Sequence, residues 1–441
     1  MNYISKNEKI VEYMIYIDVF LLIFCMSFYV YIKRYIPIIP YVKDLLLFLV
    51  FPLLTFKLVV SSFKIKKLNY LDNVIVCLFV YLLFQFVRTG VELSYAISYS
   101  GFRLNFMYIF LYFLYKSIST PNLLYRIDKI FFKILVIGLL ITFMEAFFIK
   151  TGLISVHTLG KFMVVNRYAN QEYFRVYGIT GSVQLSGLYN GLFFAILLYG
   201  LNLKRDKIDL RQFHFLEKIK SLHSKNLLFL SFLAVIVSLS RTAWTCIGLI
   251  LVLFIFSKKK FNVITLYHVF ISMAVGITLT MIYFGSEVYQ TYFTFAVVYV
   301  ERILRDLAPL LDAFWFGTGY HVSQTAVGVD QTVLMKNIQI NTDYFFLDIF
   351  SNLGFVGLVL YGILFALIPL YMVVSNKYGY SFKVIAAPII LIGIAFGHYS
   401  PLQNPALNIF LWYLFAQLSR MLDTPSFNIQ QPSHRKGFVA P

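Results

Sequence analysis

The chain has 441 residues, is 60% hydrophobic and 19% aromatic, and combines a mean hydropathy of +0.76 with a formal net charge of +18. So apolar a composition excludes an ordinary soluble domain and a disordered chain. With no nucleotide-binding loop, zinc motif or dinucleotide fingerprint in the sequence, it also argues against chemistry driven by ATP bound to this chain.

Stretches of roughly 20 apolar residues recur from one end to the other, each long enough to cross a bilayer. The sequence therefore predicts an all-α polytopic membrane helix bundle: one domain over residues 1–441 with about 12 transmembrane helices. The amino terminus, MNYISKNEKIVEY, precedes a long apolar run without a small-residue cleavage site and is expected to be a retained signal anchor. The spans fall near 13–32, 44–63, 71–89, 103–118, 130–149, 183–203, 226–239, 242–257, 262–284, 355–374, 382–398 and 405–421. Cys25, Cys77 and Cys246 lie inside spans without metal-ligand spacing and are expected to serve as small buried hydrophobes.

With the amino terminus inside, cytoplasmic segments hold 24 of the 38 Lys and Arg residues and outer segments 13, in keeping with the positive-inside rule. The 204–225 loop alone carries seven. Lys33, Arg34 and Lys43 run against this pattern in the first hairpin. Two outer loops emerge, at 150–182 and 285–354, and the larger one is expected to be partly helical. The first carries Lys150, Lys161, Arg167 and Arg175 against one acid, Glu172; the second adds Arg302, Arg305 and Lys336. Arginine forks match phosphate oxygens in pairs, so these cations suit an anionic substrate at the outer leaflet. Interfacial snorkelling is the bland alternative.

Arg241 stands apart. It lies in SLSRTAW, a tight turn between two short apolar spans, and no acid occurs between Glu217 and Glu287. A guanidinium held at a bundle mouth calls for an anion, and ligand binding is favoured over a structural partner.

These residues carry a resemblance. SLSRTAWTCIGLILVL resembles the Ser-x-Ser-Arg element that opens a span in the O-antigen polymerase and O-antigen ligase superfamily. Arg175-Val-Tyr-Gly178, followed by Ser182 and Gly187, is similar to its Arg-x-x-Gly element. GTGY at 317–320, then DYFFLDIFSNLGFVGL, resembles its large loop returning to the membrane at Gly-x-x-Gly. The resemblance covers roughly residues 165–400; the first five spans match in hydropathy alone. Ligases of the superfamily place a histidine-asparagine pair about eleven residues before the first of those glycines. Here Asp343 and Tyr344 stand there, which is more similar to the polymerase branch.

The resemblance implies a metal-independent membrane glycosyltransferase without a cofactor, at the periplasmic face of a bacterial inner membrane, with both termini cytoplasmic. It implies transfer of a growing glycan from undecaprenyl diphosphate onto the acceptor sugar of another carrier-linked repeat unit. Its partners would be the undecaprenyl diphosphate-linked oligosaccharide, membrane lipids and a chain-length-regulating copolymerase; no nucleic acid is implied. Cations must hold the leaving diphosphate, and the candidates are Arg241, Arg175 and Arg305, with Arg302 and Arg167 behind them. Asp343 is the candidate base for the acceptor hydroxyl, its alternative being a cap or ion-pair partner.

Further candidates have plain alternatives. Glu145 either orients an outer arginine or snorkels, and Asp348 is a second carboxylate or a helix-surface acid. His398 is a base candidate ranked below Asp343, and His321 an ordinary loop residue. Asp18 and Lys57 are expected to pair with each other. Tyr292, Phe293, Phe295, Trp315 and Tyr320 are either sugar-stacking rings or an interfacial aromatic belt. A ligase and a lipid-linked oligosaccharide flippase are the alternative functions. The flippase is disfavoured because the halves show no repeat.

Overall fold

The computed structural model describes residues 6–60, 68–151, 165–168, 171–174, 176, 178–180, 183–203, 213–222, 225–238, 240–257, 311, 313–320, 345–375, 377–396 and 404–424. Among them, four helices are long and apolar enough to cross a membrane: Lys6–Ser27, Tyr70–Glu92, Pro121–Phe148 and Phe346–Val374. A fifth is added if the bent pair His214–Lys220 and Lys225–Val237 counts as one. The helical membrane-type bundle is therefore present, while the expected count of about 12 spans is not reached among the described residues.

The amino-terminal third is more broken than its hydropathy suggests. α1 (Lys6–Ser27) is followed by short helices α2 (Tyr29–Tyr35), α3 (Ile39–Phe48) and α4 (Val50–Val60). Pro40 and Pro52 sit in the first turns of α3 and α4, where a missing N–H costs no helical hydrogen bond. α5 (Tyr70–Glu92) opens on a capping box in which Asn69 Oδ1 accepts the Asp72 N–H at 3.0 Å and Asp72 Oδ2 accepts the Asn69 N–H at 3.1 Å. α6 (Tyr95–Asn105) folds back along α5, with Ser98 Oγ donating to Phe86 O at 2.6 Å. A short 3₁₀ turn then leads into α7 (Phe110–Ser117), so the expected span at 103–118 is two helices with a break at Phe106.

α8 (Pro121–Lys150) is the longest helix described. Beyond it lie the hairpin strands β1 (Val165–Tyr168) and β2 (Gln171–Phe174), paired antiparallel with Arg167 opposite Glu172. α9 (Val183–Gly200), α10 (His214–Leu222), α11 (Lys225–Val237) and α12 (Arg241–Phe256) follow. α13 (Phe345–Gly362) passes through a π-helical turn at Ile363–Leu367 into α14 (Ile368–Val374). α15 (Tyr380–Ala395) and α16 (Pro405–Asp423) close the bundle, almost wholly buried.

Polar contacts sort the helix ends into two layers. At one end Asp72, at the start of α5, receives Lys116 Nζ at 2.6 Å and Ser419 Oγ at 2.6 Å; Tyr112 is also bonded to it. Glu12 receives Lys57 Nζ at 2.6 Å and the N–H groups of Ser119 and Thr120 at 3.1 and 2.8 Å. Asp128 gathers the Phe215 N–H, Tyr413 and Gln417. Lys57 thus pairs with Glu12, not with Asp18 as expected, and both Asp18 oxygens are buried without a hydrogen-bond partner among the described residues. Glu12 lies nearly two turns below Asp18 in α1, beside the α7–α8 turn where Lys57 arrives.

α16 runs antiparallel to α5 and α8, because its carboxyl end meets their amino ends. The amino end of α16, the carboxyl ends of α5 and α8 and the start of α9 therefore share the opposite layer. On the expected topology that layer is the outer one. Cys25 and Cys246 are buried as expected, but Cys77 is exposed on the helix surface.

Candidate functional site

The described motif-bearing segments lie in that opposite layer. Gly178 adopts φ +55°, a conformation that favours glycine. Its N–H donates to Glu145 Oε2 at 2.7 Å. A Cβ at this position would lie 2.4 Å from Ser186 Oγ and 3.1 Å from Thr142 Oγ1. The turn carrying Val176, Gly178, Ile179 and Thr180 is thus pressed onto α8 on one side and α9 on the other. Asn404, the N-cap of α16, donates from Nδ2 to Thr180 O at 3.0 Å and ties the last helix to the same turn.

One turn along α9, Gly187 admits the Ser-x-Ser-Arg element. A Cβ on Gly187 would stand 2.6 Å from Ser240 Cβ and 2.7 Å from Ser238 Oγ, so the helix and the 238–243 turn touch only because a hydrogen stands there. Ser240 is the N-cap of α12 and accepts the Ala243 N–H at 3.4 Å. This places Arg241 as the first residue of α12, at the positive end of the helix dipole.

A third segment comes from the large loop. Residues 313–320 lie across α5 and α13 as a strap. Gly354 breaks α13 with φ 64° and ψ −166°. The turn around the break frees carbonyls for the strap: Thr318 N donates to Ser351 O at 2.7 Å and Gly319 N to Asn352 O at 3.2 Å. On the other side of the break, Phe355 N donates to Phe314 O at 2.7 Å. Gly317 and Gly354 stack so closely that a Cβ on either would fall within 2.6 Å of the other's backbone. Gln85 Nε2 and Arg88 Nη1 of α5 donate to Phe316 O at 2.7 and 3.2 Å.

Of the predicted site residues, Asp343, Arg175, Arg302, Arg305 and His398 lie outside the described residues. So do His321, Tyr292, Phe293 and Phe295. Arg241 and Arg167 have described backbones, at the first turn of α12 and in β1. Two expectations change. Asp348 is no helix-surface acid: it is 1% exposed, with Asn352 Nδ2 bonded to its Oδ1 at 3.0 Å and to its carbonyl at 2.7 Å. Tyr320 is no sugar platform: it is 1% exposed, its hydroxyl donates to Leu82 O, and its ring packs on Phe102 and Phe106. Trp315 remains exposed.

Glu145, expected either to orient an outer arginine or to snorkel, accepts the Gly178 N–H and so holds a turn of the chain. Asn190, Ser186 and Asn404 were missed. The i, i+4 spacing of Ser186 and Asn190 on a largely apolar α9 is the signal that could have found two of them. Asn190 Nδ2 donates to Thr142 Oγ1 at 3.1 Å, whereas Ser186 Oγ and Asn190 Oδ1 are buried without a hydrogen-bond partner among the described residues. The chain matches no protein-family model, no curated protein and no solved structure in the comparisons made, so the site is described by its own geometry.

Proposed function

We propose that the protein is a surface-polysaccharide polymerase of the O-antigen type, a metal-independent membrane glycosyltransferase spanning the bacterial inner membrane about 12 times. The observation that carries this is that the Gly178 turn and the Ser238–Arg241 turn pack on the same end of α9, in the layer of the bundle that the Gly317–Gly354 strap also occupies. They come from distant parts of the chain, and contacts that tolerate only hydrogen at Gly178, Gly187, Gly317 and Gly354 hold them in place.

In the proposed reaction, an acceptor sugar hydroxyl attacks the anomeric carbon of the donor glycan. The bond from that carbon to the diphosphate oxygen breaks, and the hydroxyl proton passes to Asp343. The undecaprenyl diphosphate leaves with its charge held by Arg241, Arg175 and Arg305, with Arg302 and Arg167 alongside. His398 contributes to glycan binding. The test is the glycan profile of cells lacking the protein. The proposal expects lipid A-core carrying a single repeat unit. Long chains stranded on the carrier would indicate a ligase instead, and unexported units a flippase.

A further inference from the structure

A second cationic cluster stands away from the motif-bearing site, in helices to which the resemblance assigns nothing beyond hydropathy. Lys43 and Asp44 in α3 pair at 3.0 Å, and Arg103 Nε of α6 reaches the other Asp44 oxygen at 2.5 Å. Two cations thus share one carboxylate, which leaves a net charge of +1 on a largely buried group. The Lys43 and Asp44 side chains are 5% and 6% exposed, that of Arg103 27%. Lys43 Nζ also donates to Tyr108 Oη at 3.2 Å and lies 5.9 Å from the Tyr29 ring. Tyr99, stacked on Phe48, lies within electrostatic reach of all three charges.

Donors are left over. Among the described residues, neither the Nη groups of Arg103 nor the hydroxyls of Tyr29 and Tyr99 have a hydrogen-bond partner. The cluster occupies the same layer as the motif-bearing segments: Tyr29 follows the end of α1 remote from Glu12, and α6 lies along the carboxyl half of α5. Beside it, Tyr41 and Leu45 on α3 and Leu49 at its C-cap form an exposed apolar stripe at i, i+4 and i+8.

We propose that Arg103, Lys43, Tyr29 and Tyr99 form a second anion site, which takes the phosphate or diphosphate head of a membrane lipid while its tail lies along the α3 stripe. Asp44 orders the two cations without neutralising them. A guanidinium fork with two phenol donors matches the several acceptor oxygens of a phosphate, and the surplus positive charge calls for an anion. Binding here rests on the membrane placement of the bundle and not on glycosyl transfer. Where the transfer reaction also holds, this site suits the second carrier-linked substrate that a polymerase must seat.

The test uses the full chain purified in neutral detergent, with native mass spectrometry of bound lipid. The probes are a polyprenyl diphosphate, phosphatidylglycerol and zwitterionic phosphatidylcholine. We expect R103Q to weaken binding of the phosphate-headed probes about tenfold or more, and Y99F to weaken it a few-fold, with phosphatidylcholine unaffected. A tenfold preference of the wild type for the diphosphate assigns the site to the carrier; equal binding assigns it to an anionic phospholipid head. Wild-type binding in a folded R103Q protein overturns the proposal. If R103Q does not accumulate, unchanged binding in both R103K and Y99F overturns it equally. So does a loss seen in Arg241→Ala but not in the α6 variants, because the lipid would then belong to the other site.

Discussion

Glu145 Oε2 accepts the backbone N–H of Gly178 at 2.7 Å across 33 positions of sequence. That bond fixes a turn in which Gly178 has φ +55° and no room for a side chain beyond Cα. The carboxylate near the end of α8 therefore holds this turn against the bundle.

Glu145→Ala removes a charged acceptor from a backbone donor and is expected to cost about 1.5–3 kcal/mol. Glu145→Gln retains an acceptor oxygen and should lose less than half as much. Thermal unfolding of the detergent-solubilised variants reads the difference, and equal losses in both would mean that the acceptor oxygen is not what matters.

Gly354→Ala should be more damaging than substitutions on the exposed face of α13. With φ 64° and ψ −166° the position is essentially reserved for glycine, at a cost of about 1–3 kcal/mol for any other residue. The new Cβ would also stand 2.5 Å from Phe316 N. The expected outcome is a lowered melting temperature together with faster protease cleavage of the strap at 313–320. Gly362→Ala, where no atom lies within 4 Å of a Cβ, is the control and should be near neutral.

The staple in the opposite layer makes a separate prediction. Asp72 is 2% exposed and shares Lys116 with Asp423, while Tyr112, Ser419 and the Asn69 N–H complete its shell. Lys116→Met strands a buried carboxylate and should cost about 3–5 kcal/mol. Adding Asp72→Asn should recover part of that loss. A double variant no more stable than the single one would show that the pair is not the cause.

Much of the scaffold was legible in the sequence, and the pattern of failures is physical. The long apolar runs expected at 13–32, 71–89 and 130–149 lie largely within helices 6–27, 70–92 and 121–150, because uninterrupted hydrophobic stretches leave the backbone few other ways to satisfy its polar groups. Breaks at Phe106 and Gly354 were invisible to hydropathy, which does not register where a chain folds back or where a glycine lets another strand of chain approach. Charge pairing was less legible still. α1 offers Lys57 two acids, and only the approach of the α7–α8 turn selects Glu12 over Asp18. At the motif-bearing site, glycine spacing and the Ser-x-Ser-Arg order were readable. The Glu145 contact and the Asn404–Thr180 bond depend on which helices become neighbours, and no local pattern encodes that.

Topology has a direct check. A cysteine introduced at Ser323 should react with a membrane-impermeant thiol reagent added from outside, since the loop following the strap is assigned to the outer face. Labelling only from the cytoplasmic side would invert the assignment of both layers.

The central claim is that cations gathered at the outer end of the bundle hold a lipid diphosphate while sugar passes between carriers. Purified wild-type protein and Arg241→Ala, both folded, would be incubated with an undecaprenyl diphosphate-linked repeat unit and the products sized. The account predicts a ladder of extended glycans from the wild type and a loss of about 10²–10³-fold in extension rate from the variant. No extension by the folded wild type, or the same ladder at the same rate from both proteins, would contradict it.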